Sequence, residues 1–302
     1  MSSVVKSIGA YAKLLRLSNG PTAVADVWMG YAVVSGVLEP TWPLALMTVT
    51  SLLLYHGGMI ANDVVDVFDD RAEGRDRPLA TGQLHVIDAG RLFWWMTIGA
   101  FLTATAASVV TGLWPGMLAF LLWNAIRWYN SPLKKTLAGP PLMGLCRGLN
   151  VALGASVAGF GPESLMIPLG VACYVDGLTL FARDERVQKG RWQRIAGVLV
   201  SLLGITWLAL WPELFPGFVG KPRATIWPLF WAVTALLATR GMVAGILHPT
   251  PRNIGRGVGV AIQGLVIIDA TLAALYAGPV AGLAILALLP VTMLLARWIP
   301  QT

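Results

Sequence analysis

An all-α, polytopic membrane protein with nine or ten helical spans is the fold class this sequence predicts, and three observations predict it. Only 12% of its 302 residues are charged and 56% are hydrophobic, where a soluble domain carries about 25% charged residues. Apolar runs of roughly 18 residues or more recur along nearly the whole length, each long enough to cross a hydrocarbon core. The runs are continuous rather than alternating, which selects helices over a closed barrel, the other architecture that satisfies backbone polar groups without water.

Taken in order, the opening MSSVVKSIGAYAKLLRLSNG is a short amphipathic basic leader, and no cleavable signal is expected in it. Spans follow at about 20–38, 42–64, 90–112, 114–130, 138–160, 164–183, 194–211, 226–247, 257–277 and 280–298. Only Gly278-Pro279 separates the last two, which makes them either a tight hairpin or one broken helix. The longest connection is about 25 residues, so 1–302 is expected to be one transmembrane domain.

The net charge of +7 is distributed as topology rather than as a nucleic-acid patch. With ten spans, nineteen of the 22 Lys and Arg fall on one side, Lys221 and Arg223 on the other, and Arg147 within a span. The positive-inside rule then places the N-terminus and the charged loops in the cytoplasm and the chain in an inner or plasma membrane. Cys146 and Cys173 sit in apolar runs and suggest neither a disulfide nor a metal site.

Charge concentrates where the second span ends, in NDVVDVFDDRAEGRDRP, Asn62 to Pro78. Asp63, Asp66 and Asp70 are spaced i, i+3 and i+7, so a helix puts them on one face, with Asn62 one turn before Asp66. Like charges this close need a cation among them or a proton on one. Oxygen-only donors without His or Cys favour Mg²⁺, which binds one or two carboxylates together with substrate phosphates. Arg75 and Arg77 follow and suit phosphate oxygens; Asp69, Glu73 and Asp76 read as loop solvation.

Two further constellations lie at the same side. In YVDGLTLFARDE, Asp176 and Arg183 share a helical face, with Asp184 and Glu185 at the mouth of the span. Intramembrane ionisable groups are functional candidates by default. WYNSPLKKTLAGPPLMGLCRGLN supplies Lys134 at a helix end and Arg147 and Asn150 on the next span; Arg147 needs an anionic partner, either a ligand's diphosphate or carboxylate or a protein side chain. Asn19 stands level with the acidic block, while Asp26 and Asp269 lie deeper and suit interhelical hydrogen bonding.

Asn62-Asp63-x-x-Asp66-x-x-x-Asp70 followed by RDRPLATG resembles the first signature of the UbiA superfamily of intramembrane prenyltransferases. RLSNGPTAVADVWMGYAV resembles that family's first helix and GPPLMGLCRGLNVALG its fifth, while LTLFARDE and MGLCRGLN resemble the EboC-like branch. The resemblance implies about nine helices around a central cavity and transfer of a prenyl group from an isoprenoid diphosphate to a small acceptor, aromatic or polyol, with Mg²⁺. Carried onto this chain, Asn62, Asp63, Asp66 and Asp70 hold metal, joined by Asp184 and Glu185. Asn19, Arg75, Arg77, Lys134, Arg147 and Arg183 bind diphosphate. Asp66, Asp176 and Asp184 are the catalytic candidates, the latter two as proton acceptors. Two departures stand out: the second acidic motif is reduced to Asp184 and Glu185 beside Arg183, and the family's Tyr-x-x-x-Lys becomes Tyr129 to Lys134, one residue longer. Aromatic candidates for facing an allylic cation are Tyr55, Phe68, Trp123 and Tyr174.

Two other classes compete. A transporter would use Asp26, Asp176 and Asp269 as an ion path, though no repeat-related broken helices are evident. A CDP-alcohol phosphatidyltransferase would need Asp-Gly and Ala-Arg two residues apart; Asp176-Gly177 and Ala182-Arg183 are four apart, without the trailing Asp residues.

Overall fold

The computed structural model describes residues 3–183, 190–214 and 227–299, and every regular element among them is helical. A short α1 (Ser3–Leu14) and a 3₁₀ turn at Leu17–Asn19 lead into α2 (Gly20–Ser35). Next come α3 (Trp42–Val65), the short α4 (Val67–Ala72), α5 (Val86–Thr111), α6 (Trp114–Tyr129) and α7 (Gly139–Ala155). α8 (Met166–Ala182), α9 (Arg191–Leu214), α10 (Trp227–Leu247), α11 (Pro251–Ala277), α12 (Pro279–Leu286) and α13 (Leu288–Ala296) complete the bundle.

Local chemistry fixes these boundaries. Proline opens the first turn of α2, α3, α6, α7, α11 and α12, where its missing N–H is not required. The hydroxyls of Thr41 and Thr250 accept from the amides of Leu44 and Asn253 at 3.3 and 3.2 Å, capping α3 and α11. Gly278, at φ 99°, turns the chain between α11 and α12, which pack on one another. The last two segments are therefore a hairpin, and its second arm is itself broken at Ala287.

Six stretches are long and apolar enough to span a bilayer by length and composition: α3, α5, α9, Pro228–Leu247 of α10, α11 and the α12–α13 pair. α2, α6, α7 and α8 are apolar but only 16 or 17 residues long, about 25 Å at 1.5 Å per residue. Large side chains such as Trp95, Leu102 and Val109 stand on the outside of α5, where lipid would cover them. The chain is an integral membrane protein.

α2 and α7 pack side by side at the centre and divide the bundle. On one side α3, α5 and α6 enclose a core that includes Met47, Leu54, Leu118 and Leu122. On the other, α8, α9, α10 and α11 enclose Tyr174, Leu208, Trp211 and Leu265. The central contact depends on two glycines: a Cβ on Gly154 would collide with the Val27 carbonyl, and one on Gly30 with the Val151 carbonyl. Both obstacles are backbone and cannot yield without separating the helices. Gly154→Ala is therefore expected to destabilise the solubilised protein by about 1–3 kcal/mol. Gly255→Ala, where a Cβ meets open space, should be neutral or slightly stabilising. Thermal unfolding of the two variants side by side checks this.

Candidate active site

α3 carries its carboxylate and carboxamide side chains only in its last turn, at Asn62 and Asp63. α3 and α4 meet at Asp66 without a break in the bonding: the Asp66 amide donates to the Asn62 carbonyl at 3.0 Å and the Asp70 amide to the Asp66 carbonyl at 2.8 Å. Asp63, Asp66 and Asp70 thus keep a common face across the junction of α3 and α4. Gly74, at φ 64°, then reverses the chain, and the Arg75 amide donates to the Asp70 carbonyl at 2.9 Å. The turn throws Arg75 and Arg77 back over the carboxylates.

Four basic side chains meet this face. Arg77 Nη1 lies 2.9 Å from Asp63 Oδ1, 3.0 Å from Asp70 Oδ2 and 4.0 Å from Asp66 Oδ2. Arg16 Nη2 approaches Asp63 Oδ1 at 3.3 Å, and Arg75 Nε approaches Asp70 Oδ1 at the same distance. Lys134 Nζ is paired with Asp66 Oδ1, while the Asn62 amide donates to Asp66 Oδ2 at 3.2 Å. Asp63 and Asp70 are buried. Burial pushes the Asp70 carboxyl above its ordinary range, and Arg77 and Arg75 draw it partly back. Outside the cluster, Lys135 bonds Asp69 at 2.6 Å, which lowers the carboxyl and raises the amine.

Among the described residues, no group of three or more His, Cys, Asp or Glu side chains converges on a single metal position. The carboxylates instead face guanidinium and ammonium groups. The donor chemistry is nevertheless that of a hard divalent cation: three carboxylates and a carboxamide, with no softer ligand. Asp184 and Glu185 lie outside the described residues.

The cluster borders a cavity of about 110 Å³, which it reaches through Arg16 and Asn62. Arg16 and Asn62 line it with Tyr55, Met59, Leu122, Ile126, Tyr129 and Met143, and its polar residues include Ser51, Arg147 and Asn150. Arg147 Nη1 donates to Asp26 Oδ2 at 2.7 Å and Nη2 to Thr22 Oγ1 at 2.8 Å, and its guanidinium lies 5.3 Å from the Tyr55 ring centre. Asn150 donates to the same Asp26 oxygen at 2.8 Å and accepts from Ser51 Oγ at 2.6 Å. Asp269 of α11 faces Asp26, and its oxygens meet no donor among the described groups.

The structure thus brings together Asn62, Asp63, Asp66, Asp70, Arg75, Arg77 and Lys134. It places the other described candidates elsewhere. Asn19 is buried in the 3₁₀ turn before α2. Arg147 lines the cavity but is bonded to Asp26 and Thr22, away from the acidic face of α3 and α4. Asp176 presses on the Gly144 backbone of α7 and is not a cavity-lining residue. Arg183 donates to the carbonyls of Lys135 and Thr136. Of the aromatic candidates, Tyr55 lines the cavity, Phe68 is 77% exposed, and the Tyr174 hydroxyl donates to the Ala261 carbonyl at 2.8 Å.

Arg16 is the participant that charge patterning did not single out. It is the one non-glycine residue with positive φ among the described residues, at φ 46° and ψ 52°, and such backbone strain concentrates at functional positions. The imidazole of His56 meets the preceding carbonyl, that of Leu15, at 2.8 Å and helps hold the bend. The nearest sequence signal was its place three residues before Asn19.

No family model matches the chain. A digeranylgeranylglyceryl phosphate synthase of Sulfurisphaera tokodaii is 30% identical over 154 residues, 51% of this chain and 51% of that protein. The chain thus matches about half the length of this curated relative. A UbiA homolog from Aeropyrum pernix K1 superposes with a TM-score of 0.64 at 15% identity, over 83% of this chain and 96% of that one. A UbiA homolog from Archaeoglobus fulgidus bound to DMAPP and Mg²⁺ does so with a TM-score of 0.53 at 15% identity, over 92% and 99%. The helical arrangement is similar to that of these two structures.

Proposed function

We infer that this chain, a member of the UbiA superfamily by its fold and its curated relatives, is a Mg²⁺-dependent intramembrane prenyltransferase that moves a prenyl group from an isoprenoid diphosphate to a small acceptor, aromatic or polyol. The observation that carries this is a face of three carboxylates met by Arg16, Arg75, Arg77 and Lys134 at the rim of an apolar cavity inside the bundle. An amphiphile with a strongly anionic head and a hydrocarbon tail fits both halves of that arrangement.

Asn62, Asp63, Asp66 and Asp70 would hold the metal. When bound, Mg²⁺ supplies charge to a departing diphosphate as a Lewis acid. The chain's own bases are already in place to do the same: Arg77, Arg75, Lys134 and Arg16 need only exchange carboxylate oxygens for phosphate oxygens. Because acids and bases neutralise one another beforehand, the site stands assembled without a large unbalanced charge. Met59, Leu122, Ile126 and Met143 give the cavity apolar walls, which would disfavour water and so protect an allylic cation from capture, and the Tyr55 ring lines the same space. Asp176 and Asp184 are the proposed proton acceptors, and the reduced second motif leaves the bases to take up part of the charge a second metal would balance. By the distribution of Lys and Arg, the site opens to the cytoplasm. A transporter reading is weakened because Asp26 is tied to Arg147 and Asn150 rather than to an open path.

The test is binding and turnover of radiolabelled geranylgeranyl diphosphate by purified protein with and without Mg²⁺, beside Asp63→Ala and Asp66→Ala. Wild type should bind and release diphosphate only with the metal, and each variant should lose roughly 100-fold or more. A wild-type protein that neither binds nor consumes any prenyl diphosphate in a series of chain lengths would sink the proposal.

A further inference from the structure

We infer that Arg183 is a positioning residue that clips the 131–139 loop so that Lys134 is held on the acidic face; its effect on substrate rests on the prenyltransferase reading. Lys134 and Lys135 belong to a 3₁₀ turn, Pro132–Lys135, between α6 and α7. A turn this short has too few internal bonds to aim a long, flexible side chain by itself. Arg183, the first residue past α8, fastens it from outside: its Nη2 donates to the Lys135 carbonyl at 2.8 Å and to the Thr136 carbonyl at 2.6 Å. Gln193 of α9 donates to the Leu180 carbonyl at 3.0 Å and to that of Arg183 at 3.4 Å, fixing the end of α8 that carries the clip.

The clipped loop has little freedom left. Ser131 Oγ accepts from the Leu133 amide at 3.2 Å, and Thr136 Oγ1 donates to the Leu133 carbonyl at 2.7 Å. Gly139 sits so close to the Lys134 carbonyl that a Cβ there would collide with it. With the backbone held on both sides, the two lysines reach forward in parallel, Lys134 to Asp66 and Lys135 to Asp69. Arg183 thereby joins α8, on one side of the α2–α7 partition, to the charged face of α3 and α4 on the other. A guanidinium suits this task because its fork carries several N–H groups in one plane, whereas a lysine offers a single point.

Positioning and direct phosphate binding make different predictions in a double-mutant cycle. The readout is the affinity of purified protein for geranylgeranyl S-thiolodiphosphate with Mg²⁺, in wild type, Arg183→Ala, Arg183→Lys, Lys134→Ala and the Arg183→Ala/Lys134→Ala double variant. Arg183→Ala is expected to weaken binding roughly tenfold, Arg183→Lys to restore part of it, and the double variant to match Lys134→Ala within about twofold. Losses that multiply in the double variant would overturn the inference in favour of a direct contact. Amide hydrogen exchange of residues 131–139 provides the ligand-free arm. Exchange should accelerate in Arg183→Ala with the rest of the bundle unchanged, and an unchanged rate would overturn the clip. If wild type fails to bind the analogue while exchange accelerates as expected, the prenyltransferase reading falls and the clip stands.

Discussion

Arg77→Ala is expected to move two affinities in opposite directions, weakening prenyl diphosphate binding while strengthening Mg²⁺ binding to the substrate-free protein. Arg77 Nη1 serves Asp63 and Asp70 at once, at 2.9 and 3.0 Å. Removing it deprives a phosphate of its central donor, which costs roughly 10²–10³-fold in turnover when a charge-stabilising group is lost. The same deletion leaves two buried carboxylates without their shared counter-ion, so a divalent cation no longer competes with a tethered one. An increase of about tenfold in Mg²⁺ affinity corresponds to the loss of one charge-assisted contact. Isothermal titration with Mg²⁺ alone and with thiolodiphosphate checks both signs. A fall in both affinities would mean that Arg77 organises the site rather than competing within it.

Asp26→Ala should be the most damaging substitution outside the rim. It removes the carboxylate that neutralises Arg147 and that also accepts from Asn150, all within a buried network. Breaking a buried ion pair on one side costs about 3–5 kcal/mol, because the orphaned charge remains desolvated. Asp26→Leu combined with Arg147→Met removes both charges and should recover most of that loss. Thermal unfolding in detergent, followed by tryptophan fluorescence, separates the variants. If the single and double substitutions are equally destabilised, packing rather than charge pairing accounts for the residues.

The parts of this molecule that were legible in the sequence are those written in local pattern. The ten apolar stretches are all helical, the last of them as the two helices α12 and α13, because uninterrupted hydrophobicity in lipid leaves the backbone no alternative to a helix. The Asp63–Asp66–Asp70 stripe was legible because helical spacing alone puts the residues on one face. What was not legible is which cation answers which anion. Arg147 and Arg183 both look like diphosphate ligands by type and location, yet the first is claimed by an aspartate 121 residues away and the second by two backbone carbonyls. Arg16 was hidden for a different reason: its part depends on a left-handed backbone that only tertiary contacts enforce. Nothing in a one-dimensional pattern marks a residue whose neighbours decide where it points.

The network beneath the cavity also has a history in time. Asp26 emerges from the ribosome long before Arg147, and Asp269, its neighbour from α11, emerges later still. While the chain is being made, α2 enters the bilayer with a carboxylate whose partners do not yet exist, and the partition it forms with α7 cannot close. Asp26 has no Arg147 to meet until α7 arrives, so a helix that looks ready to insert is conditional on one made much later. Slowing or truncating synthesis between α2 and α7 should leave a nascent chain in which the Asp26 carboxyl lacks its Arg147 partner.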